Sequence, residues 1–191
     1  MGLARRDFSN RSRPRDLVLE TTRLTLRRLT PADAPFILEL LNDPSFVRYI
    51  GDKGVRTRED AVGYITAGPI ASYERHGFGL FLVELKEGRV PIGICGLLKR
   101  DWLEDVDVGF AFLPRFWSQG YARESASAVL DFGRDRWRLA RILAITSPDN
   151  VASIGLLTKV GFRLDRVARW PDERSEIKVF ALDTSTRPGG S

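Results

Sequence analysis

The chain is poor in the residues that build cross-links and metal cages: its 191 residues include one cysteine, Cys95, and one histidine, His76. A lone cysteine closes no internal disulfide, and a single histidine excludes a His-rich or Cys-rich metal cluster, so no metal is expected. No stretch approaches the roughly 18 consecutive apolar residues of a membrane span. A charged start followed by an apolar segment and a small-residue cleavage site is also missing. That argues against a secretory leader and makes the cytoplasm the expected location. Neither an internal repeat nor a linker interrupts residues 20 to 183. What is present is ordinary for a globular protein, with 43% hydrophobic and 10% aromatic residues. A single domain of this length buries roughly 70% of its unfolded-chain surface, enough for a sizeable core.

The net charge of +5 is unevenly placed. Residues 1 to 16 hold Arg5, Arg6, Arg11, Arg13 and Arg15 against Asp7 and Asp16, a local charge of +3 that leaves +2 for the rest. The expected folded domain, residues 17 to 184, is therefore only modestly basic, which is weak ground for a nucleic-acid partner. MGLARRDFSNRSRPRD has few apolar residues and no periodicity, and reads as a disordered tail. Residues 185 to 191, STRPGGS, read as a second loose end. An RNA- or ribosome-associated role for the arginine tail stays open as an alternative.

Between these ends the patterns alternate between strand and helix. RLTLRRL, residues 23 to 29, suits a half-buried strand. Thr30 and Pro31 supply an N-cap and a first-turn proline for a helix that Asn42, Asp43 and Pro44 end. Thr57, with Glu59 and Asp60, starts a second helix, and Gly68–Pro69 reads as a break in it. GFGLFLVEL and VPIGICGLL, separated by KEGR, read as a hairpin. EDVDVGFAFLP is a further strand, followed by a helix with Ala122, Ala126, Val129, Leu130, Gly133 and Trp137 on one face. RILAIT, a helix through Ile154, Leu157 and Val160 that Gly161 stops, and the strands FRLDRVARW and SEIKVFALD complete the chain. The pattern predicts one α/β domain with a mixed, mostly antiparallel sheet of about seven strands and a parallel crossover late in the chain.

The crossover carries the most informative stretch, SQGYARES at residues 118 to 125. A tight loop with a glycine at Gly120 and little bulk at Ala122 exposes main-chain N–H groups at a helix start, which suits an anion. An ordinary strand-to-helix turn needing a glycine is the competing reading. If an anion sits there, the amides of about residues 118 to 123 and the helix dipole bind it, Arg123 adds a full charge, and the ligand is a phosphate or pyrophosphate.

LPRFWSQGYARES, followed some thirty residues later by SPDNVASIGLLTKVGF, resembles the GNAT superfamily of acetyl-CoA-dependent N-acyltransferases. More narrowly, it is similar to the branch that includes the ribosomal-protein N-terminal acetyltransferases. Pro114, Phe116, Trp117, Gly120, Tyr121, Ala122, Glu124, Asn150, Ser153, Gly161 and Phe162 match that pattern in order, and the opening RLTLRRLTPADA and the hairpin match in type and position. Two spaced motifs in the right order are far more specific than either alone. The resemblance implies the GNAT fold, with its sheet splayed between the fourth and fifth strands, and acetyl-CoA as cosubstrate.

By the same resemblance the coenzyme A pyrophosphate lies on Trp117, Ser118, Gln119, Gly120, Tyr121, Ala122 and Arg123. The pantetheine arm pairs with the main chain of Phe112 and Phe110, where a bulge lets the strand diverge, by the physics of strand addition. Asn150 is expected to hydrogen-bond the arm, cap the next helix, or both.

The implied activity is transfer of an acetyl group to a primary amine, a protein N-terminus or a small amine, by direct attack in a ternary complex. A non-catalytic CoA-binding module is the alternative. An alkyl ammonium must lose a proton before it attacks, and a carboxylate, directly or through water, is the usual acceptor. Asp107, two residues from Asp105 on one strand face, falls where many relatives carry a strand glutamate and is the leading candidate. Asp105, Asp172, Glu173 and Glu176 are rivals. Relatives place a thiolate-protonating tyrosine where this chain has Leu157, so Ser153 becomes the candidate donor, unless the thiol, with a pKa of about 8.5, leaves unaided. The oxyanion is expected to meet an N–H near Phe112. Cys95 reads as a buried structural thiol and His76 as an exposed turn residue, while Arg48 and Tyr49 are placed on the acceptor side. A homodimer is in keeping with soluble enzymes generally.

Overall fold

The computed structural model describes residues 17–170 and 175–184. Both predicted tails, along with Asp172 and Glu173, lie outside the described residues. Eight strands form one sheet: β1 (Leu17–Glu20), β2 (Leu24–Arg28), β3 (Leu80–Leu85), β4 (Pro91–Leu98), β5 (Asp107–Phe112), β6 (Arg141–Thr146), β7 (Arg163–Arg169) and β8 (Glu176–Asp183). They lie in the order β1-β2-β3-β4-β5-β6-β8-β7. Every neighbouring pair is antiparallel except β5 and β6, which the helix α5 (Tyr121–Trp137) connects as a parallel crossover. The additional strand is β1, whose four residues LVLE are too few to show an alternation and whose pairing to β2 shifts register between Leu17 and Leu19.

Five further helices are found among the described residues. They are α1 (Ala34–Asn42), α2 (Pro44–Ile50), α3 (Arg58–Ile65), α4 (Ala71–His76) and α6 (Val151–Lys159). Two differ from expectation. Asp43 and Pro44 do end α1, but the Asp43 side chain also accepts from the Ser45 N–H and starts α2, so one turn signal serves both ends. Gly68–Pro69 does not break the second helix. A π turn at Thr66–Ile70 accommodates Pro69, and the chain continues directly from α3 into α4.

Two layers of side chains cover the sheet. On one face Val108, Phe112, Cys95 and Leu97 pack against Ala126, Val129 and Leu130 of α5. On the other, Leu82, Ile94 and Ala111 pack against Ile37, Leu40 and Ile65 of α1 and α3, while Leu103, Leu143 and Val179 form a separate patch across the β6–β8 half. Alternation along β5 accounts for this, since neighbouring side chains point to opposite faces. Cys95 is fully buried as expected, and burial pushes its thiol up to about 12.

The splay falls where the resemblance implies, since with β1 added the fourth and fifth expected strands are β5 and β6. β5 and β6 share one partner pair, Asp107 with Leu143, and separate beyond it. The expected bulge is absent from the β4–β5 ladder, whose partners keep one offset from Gly93/Phe112 to Leu98/Asp107. The opening comes from divergence of the two parallel strands, and β5 stays in register with β4 throughout.

Candidate active site

The phase of β5 decides which main-chain groups look into the wedge between β5 and β6. The Leu113 N–H donates to the Ile92 carbonyl at 3.1 Å. Main-chain groups of an antiparallel strand alternate sides residue by residue. Leu113, Ala111 and Gly109 therefore serve β4, and the N–H and C=O of Phe112, Phe110 and Val108 face the wedge. At its apex the Leu143 N–H donates to the Val106 carbonyl, on the same side, at 2.9 Å. The Trp117 indole N–H donates to the Phe112 carbonyl at 2.7 Å, so the Phe112 N–H is the group left facing the opening.

Beyond β5 the chain turns through Ser118 (φ 60°) and Gly120 (φ 83°), both left-handed, and enters α5. That conformation is cheap for glycine and costly for serine. Glu124 is the first α5 residue to donate within the helix, to the Gly120 carbonyl at 3.0 Å. The amides of Tyr121, Ala122 and Arg123 precede the ladder, and no side chain caps them. By contrast α2, α3 and α6 are each capped by a side chain, from Asp43, Thr57 and Asn150. Bare amides at the positive end of a seventeen-residue helix suit an anion.

These groups open on a cleft of about 640 Å³ between β5, α5, α6 and the end of α2. Among the described residues its lining carries two formal charges, Arg123 and Lys159, and no carboxylate. Trp117 and Val151, 43% and 76% exposed, add apolar surface to it. Of the predicted residues, Phe110, Phe112, Trp117, Ser118, Gly120 and Tyr121 all line this cleft, as do Ala122, Arg123, Asn150 and Ser153. Asn150 also accepts from the Ser153 N–H at 3.0 Å, so it caps α6 while facing the cleft. Among the described residues the Ser153 hydroxyl makes no hydrogen bond within the protein. Leu157, at the position of the tyrosine in relatives, is turned into the core and is 1% exposed.

Two predicted residues stand apart. Gln119 is exposed but is not part of the cleft lining: its side chain donates to the Arg115 carbonyl and its own carbonyl accepts from Arg23. Asp107 lies outside the cleft lining, five residues before Phe112, which is about 16 Å along an extended strand. It is 1% exposed, and Arg100 Nε donates to both its oxygens, at 3.0 and 3.1 Å. Burial pushes its carboxyl up to about 6 against the pull of Arg100.

The pairing of Asp105 with Asp107 on one strand face does not occur, because β5 begins at Asp107 and Asp105 sits in the preceding bend, 3.4 Å from Arg141. Glu176 is exposed at the start of β8. His76 closes α4, half-buried and stacked on Phe78, and is not part of the cleft. Tyr49 lines the cleft, and Arg48 pairs with Asp149 at 3.2 Å, beside Asn150. Sequence reasoning missed Ser45, Phe46 and Ile50, since α2 itself was missed; the signal was the Asp43-Pro44-Ser45 helix start. Lys159 was missed as well, although it lies six residues beyond Ser153, at the end of α6, and lines the cleft.

Residues 23–163 match the family model described as Acetyltransferase (GNAT) domain. YoaA, an uncharacterised N-acetyltransferase of Bacillus subtilis, is 32% identical over 154 residues, covering 80% of this chain and 86% of its own. Among solved structures, the ribosomal-protein alpha-N-acetyltransferase RimL in complex with coenzyme A superposes with a TM-score of 0.76 at 17% identity, over 88% of this chain and 98% of its own. A Vibrio cholerae spermidine N-acetyltransferase chimera gives 0.69 at 18% identity, over 85% and 96%. The chain belongs to the GNAT acetyltransferase family.

Proposed function

We propose that the protein transfers an acetyl group from acetyl-CoA to a primary amine, a protein N-terminus or a small amine, by direct attack in a ternary complex. The observation that carries the donor half is the juxtaposition of the uncapped α5 amides with the outward-facing main chain of Phe110 and Phe112 along one cleft. That cleft fits the donor part by part. The amides of Tyr121 to Arg123 suit a diphosphate, Arg123 and Lys159 add positive charge, and the open edge of β5 suits an arm that carries amides. Acetyl-CoA supplies the activated thioester, and the Phe112 N–H is the donor aimed at its carbonyl oxygen. Phe46, Tyr49 and Ile50 form the wall opposite.

Proton handling follows from which groups are near. Among the described residues no carboxylate lines the cleft; Asp107, buried near the apex of the wedge, takes the amine proton by way of bridging water, and its elevated pKa suits an acceptor near neutrality. Ser153, on the first turn of α6, holds or protonates the departing sulfur. The primary-amine acceptor is in keeping with neighbours named for a protein α-amine and for spermidine.

The test is release of free thiol from acetyl-CoA across a panel of amines and N-terminal peptides, alongside thermal stabilisation by CoA. A ligand at a hundred times its Kd adds about 2.7 kcal/mol. Saturable, amine-dependent thiol release supports the proposal. Stabilisation by CoA with no thiol release from any amine would favour a CoA-binding module without catalysis.

A further inference from the structure

The turn between β1 and β2 has no part in the cleft lining, yet it is bound tightly to the back of the anion loop. The Glu124 carboxylate accepts from the Thr21 hydroxyl at 2.6 Å and the Arg23 main-chain N–H at 2.9 Å through Oε1. Through Oε2 it accepts from Arg23 Nε and Nη2, both at 2.7 Å. Arg23 Nη1 reaches on to the Gln119 carbonyl at 3.0 Å, and the guanidinium lies 4.5 Å from the centre of the Tyr121 ring. One arginine thus touches the residues on both sides of Gly120.

The geometry has two consequences for an anion. Gln119 O and the Gly120 N–H belong to one trans peptide plane and point in opposite directions. With Arg23 holding the carbonyl at the back of the loop, the Gly120 N–H is directed the other way. That peptide lies between the two left-handed residues, Ser118 and Gly120, where rotation of the plane would bring the carbonyl forward. The second consequence concerns Glu124 itself. A carboxylate in the first turn of a helix is attracted to the free amides and would compete with an incoming anion for them. Burial opposes its ionisation, but the bonds from Thr21 and Arg23 prevail and hold its carboxyl below the usual range, ionised and turned away.

We propose that Arg23 and Glu124 are positioning residues for the diphosphate of the donor, locking residues 119 to 121 with their amides outward and keeping the helix start free of its own carboxylate. This rests on the acetyl-CoA reading above.

The test compares the wild type with Arg23→Met, Arg23→Lys and Glu124→Gln. It measures the Kd for CoA, steady-state kinetics with acetyl-CoA and with S-acetylpantetheine, a thioester that lacks the diphosphate, and Tm. Arg23→Met is expected to raise the Kd for CoA and the KM for acetyl-CoA about tenfold, with kcat little changed and S-acetylpantetheine kinetics unaffected. Arg23→Lys, which keeps the charge and loses the planar fork, falls between. Glu124→Gln weakens CoA binding; tighter binding there would mean that Arg23 grips the anion directly, and would overturn the proposal. Equal loss with both donors, tracking a fall in Tm, would also overturn it, by showing a role in the fold alone. If Arg23→Met fails to fold, Arg23→Lys and Glu124→Gln carry the same criteria. A wild type that binds no CoA would bring down the acetyl-CoA reading and this inference together; variants that bind CoA as tightly as a binding-competent wild type would overturn only the inference.

Discussion

The indole N–H of Trp117 donates to the main-chain carbonyl of Phe112 at 2.7 Å. Both main-chain groups of Phe112 face the wedge, so an unpartnered carbonyl would place a negative dipole beside the N–H proposed to serve the reacting oxygen. Trp117→Phe keeps an aromatic ring and removes the donor. It is expected to lower kcat about tenfold with a smaller change in KM for acetyl-CoA, read by steady-state kinetics, since a donor lost at the developing charge itself costs more. A kcat equal to wild type would leave the indole a packing role only.

Asp107 titrates in the range where activity is measured. With its carboxyl at about 6, kcat/KM should rise with pH through that value and level off as the carboxylate forms. Asp107→Asn should lower the plateau about a hundredfold and abolish the inflection. Full turnover of the Asn variant across pH would remove Asp107 from the chemistry.

The same group makes a second prediction, for stability. Its folded value lies above the 3.8 of an ordinary aspartate, so between the two the folded state binds more proton than the unfolded one. Its contribution is fully present below 3.8 and is lost as the pH rises through about 6. Urea midpoints measured from pH 4 to 7 should fall less steeply for Asp107→Asn than for wild type. A steeper fall in the variant would reverse the assigned shift.

Ser153→Ala tests the leaving-group step. If the hydroxyl holds or protonates the sulfur, kcat drops about tenfold and the KM for acetyl-CoA stays near wild type. The Asn150 cap is unaffected, because it uses the Ser153 main-chain N–H. An unchanged kcat would show that the thiolate leaves without help.

Gly96 tests the sheet. A Cβ there would overlap the Gly79 carbonyl oxygen and sit 2.7 Å from the Leu80 Cα, main-chain atoms on the neighbouring strand segment that have no rotamer to yield. Gly96→Ala is expected to cost about 2 kcal/mol or more in denaturant unfolding. A loss under about 0.5 kcal/mol, the size of an ordinary surface change, would mean that β3 and β4 separate more readily than their packing implies.

Local signals were legible in the sequence wherever one residue's covalent nature forces the outcome. Gly120 marks a left-handed turn, Thr57 a helix start, and Leu24 and Leu26 a strand face. Where one signal has two uses, the sequence was ambiguous: Asp43-Pro44 ends one helix and begins another, and Gly68–Pro69 is absorbed by a π turn. The strand LVLE depends on a partner, β2, for its identity. Placement across the fold was the least legible. That Asp107 would sit near the wedge apex against Arg100, or that Arg23 would brace a loop 96 residues away, follows from tertiary pairing that no local pattern records. The predicted part of the cleft lining falls in two contiguous stretches, Phe110 to Arg123 and the start of α6, whereas the α2 wall of Ser45, Phe46 and Ile50 and the distant Lys159 were not legible.

The most direct measurement is the structure of the protein with coenzyme A bound. The diphosphate oxygens should lie within about 3.2 Å of the main-chain nitrogens of Tyr121, Ala122 or Arg123, with the arm alongside Phe110 and Phe112. A diphosphate held only by the side chains of Arg123 and Lys159, or lodged away from the start of α5, would contradict the proposed mode of binding.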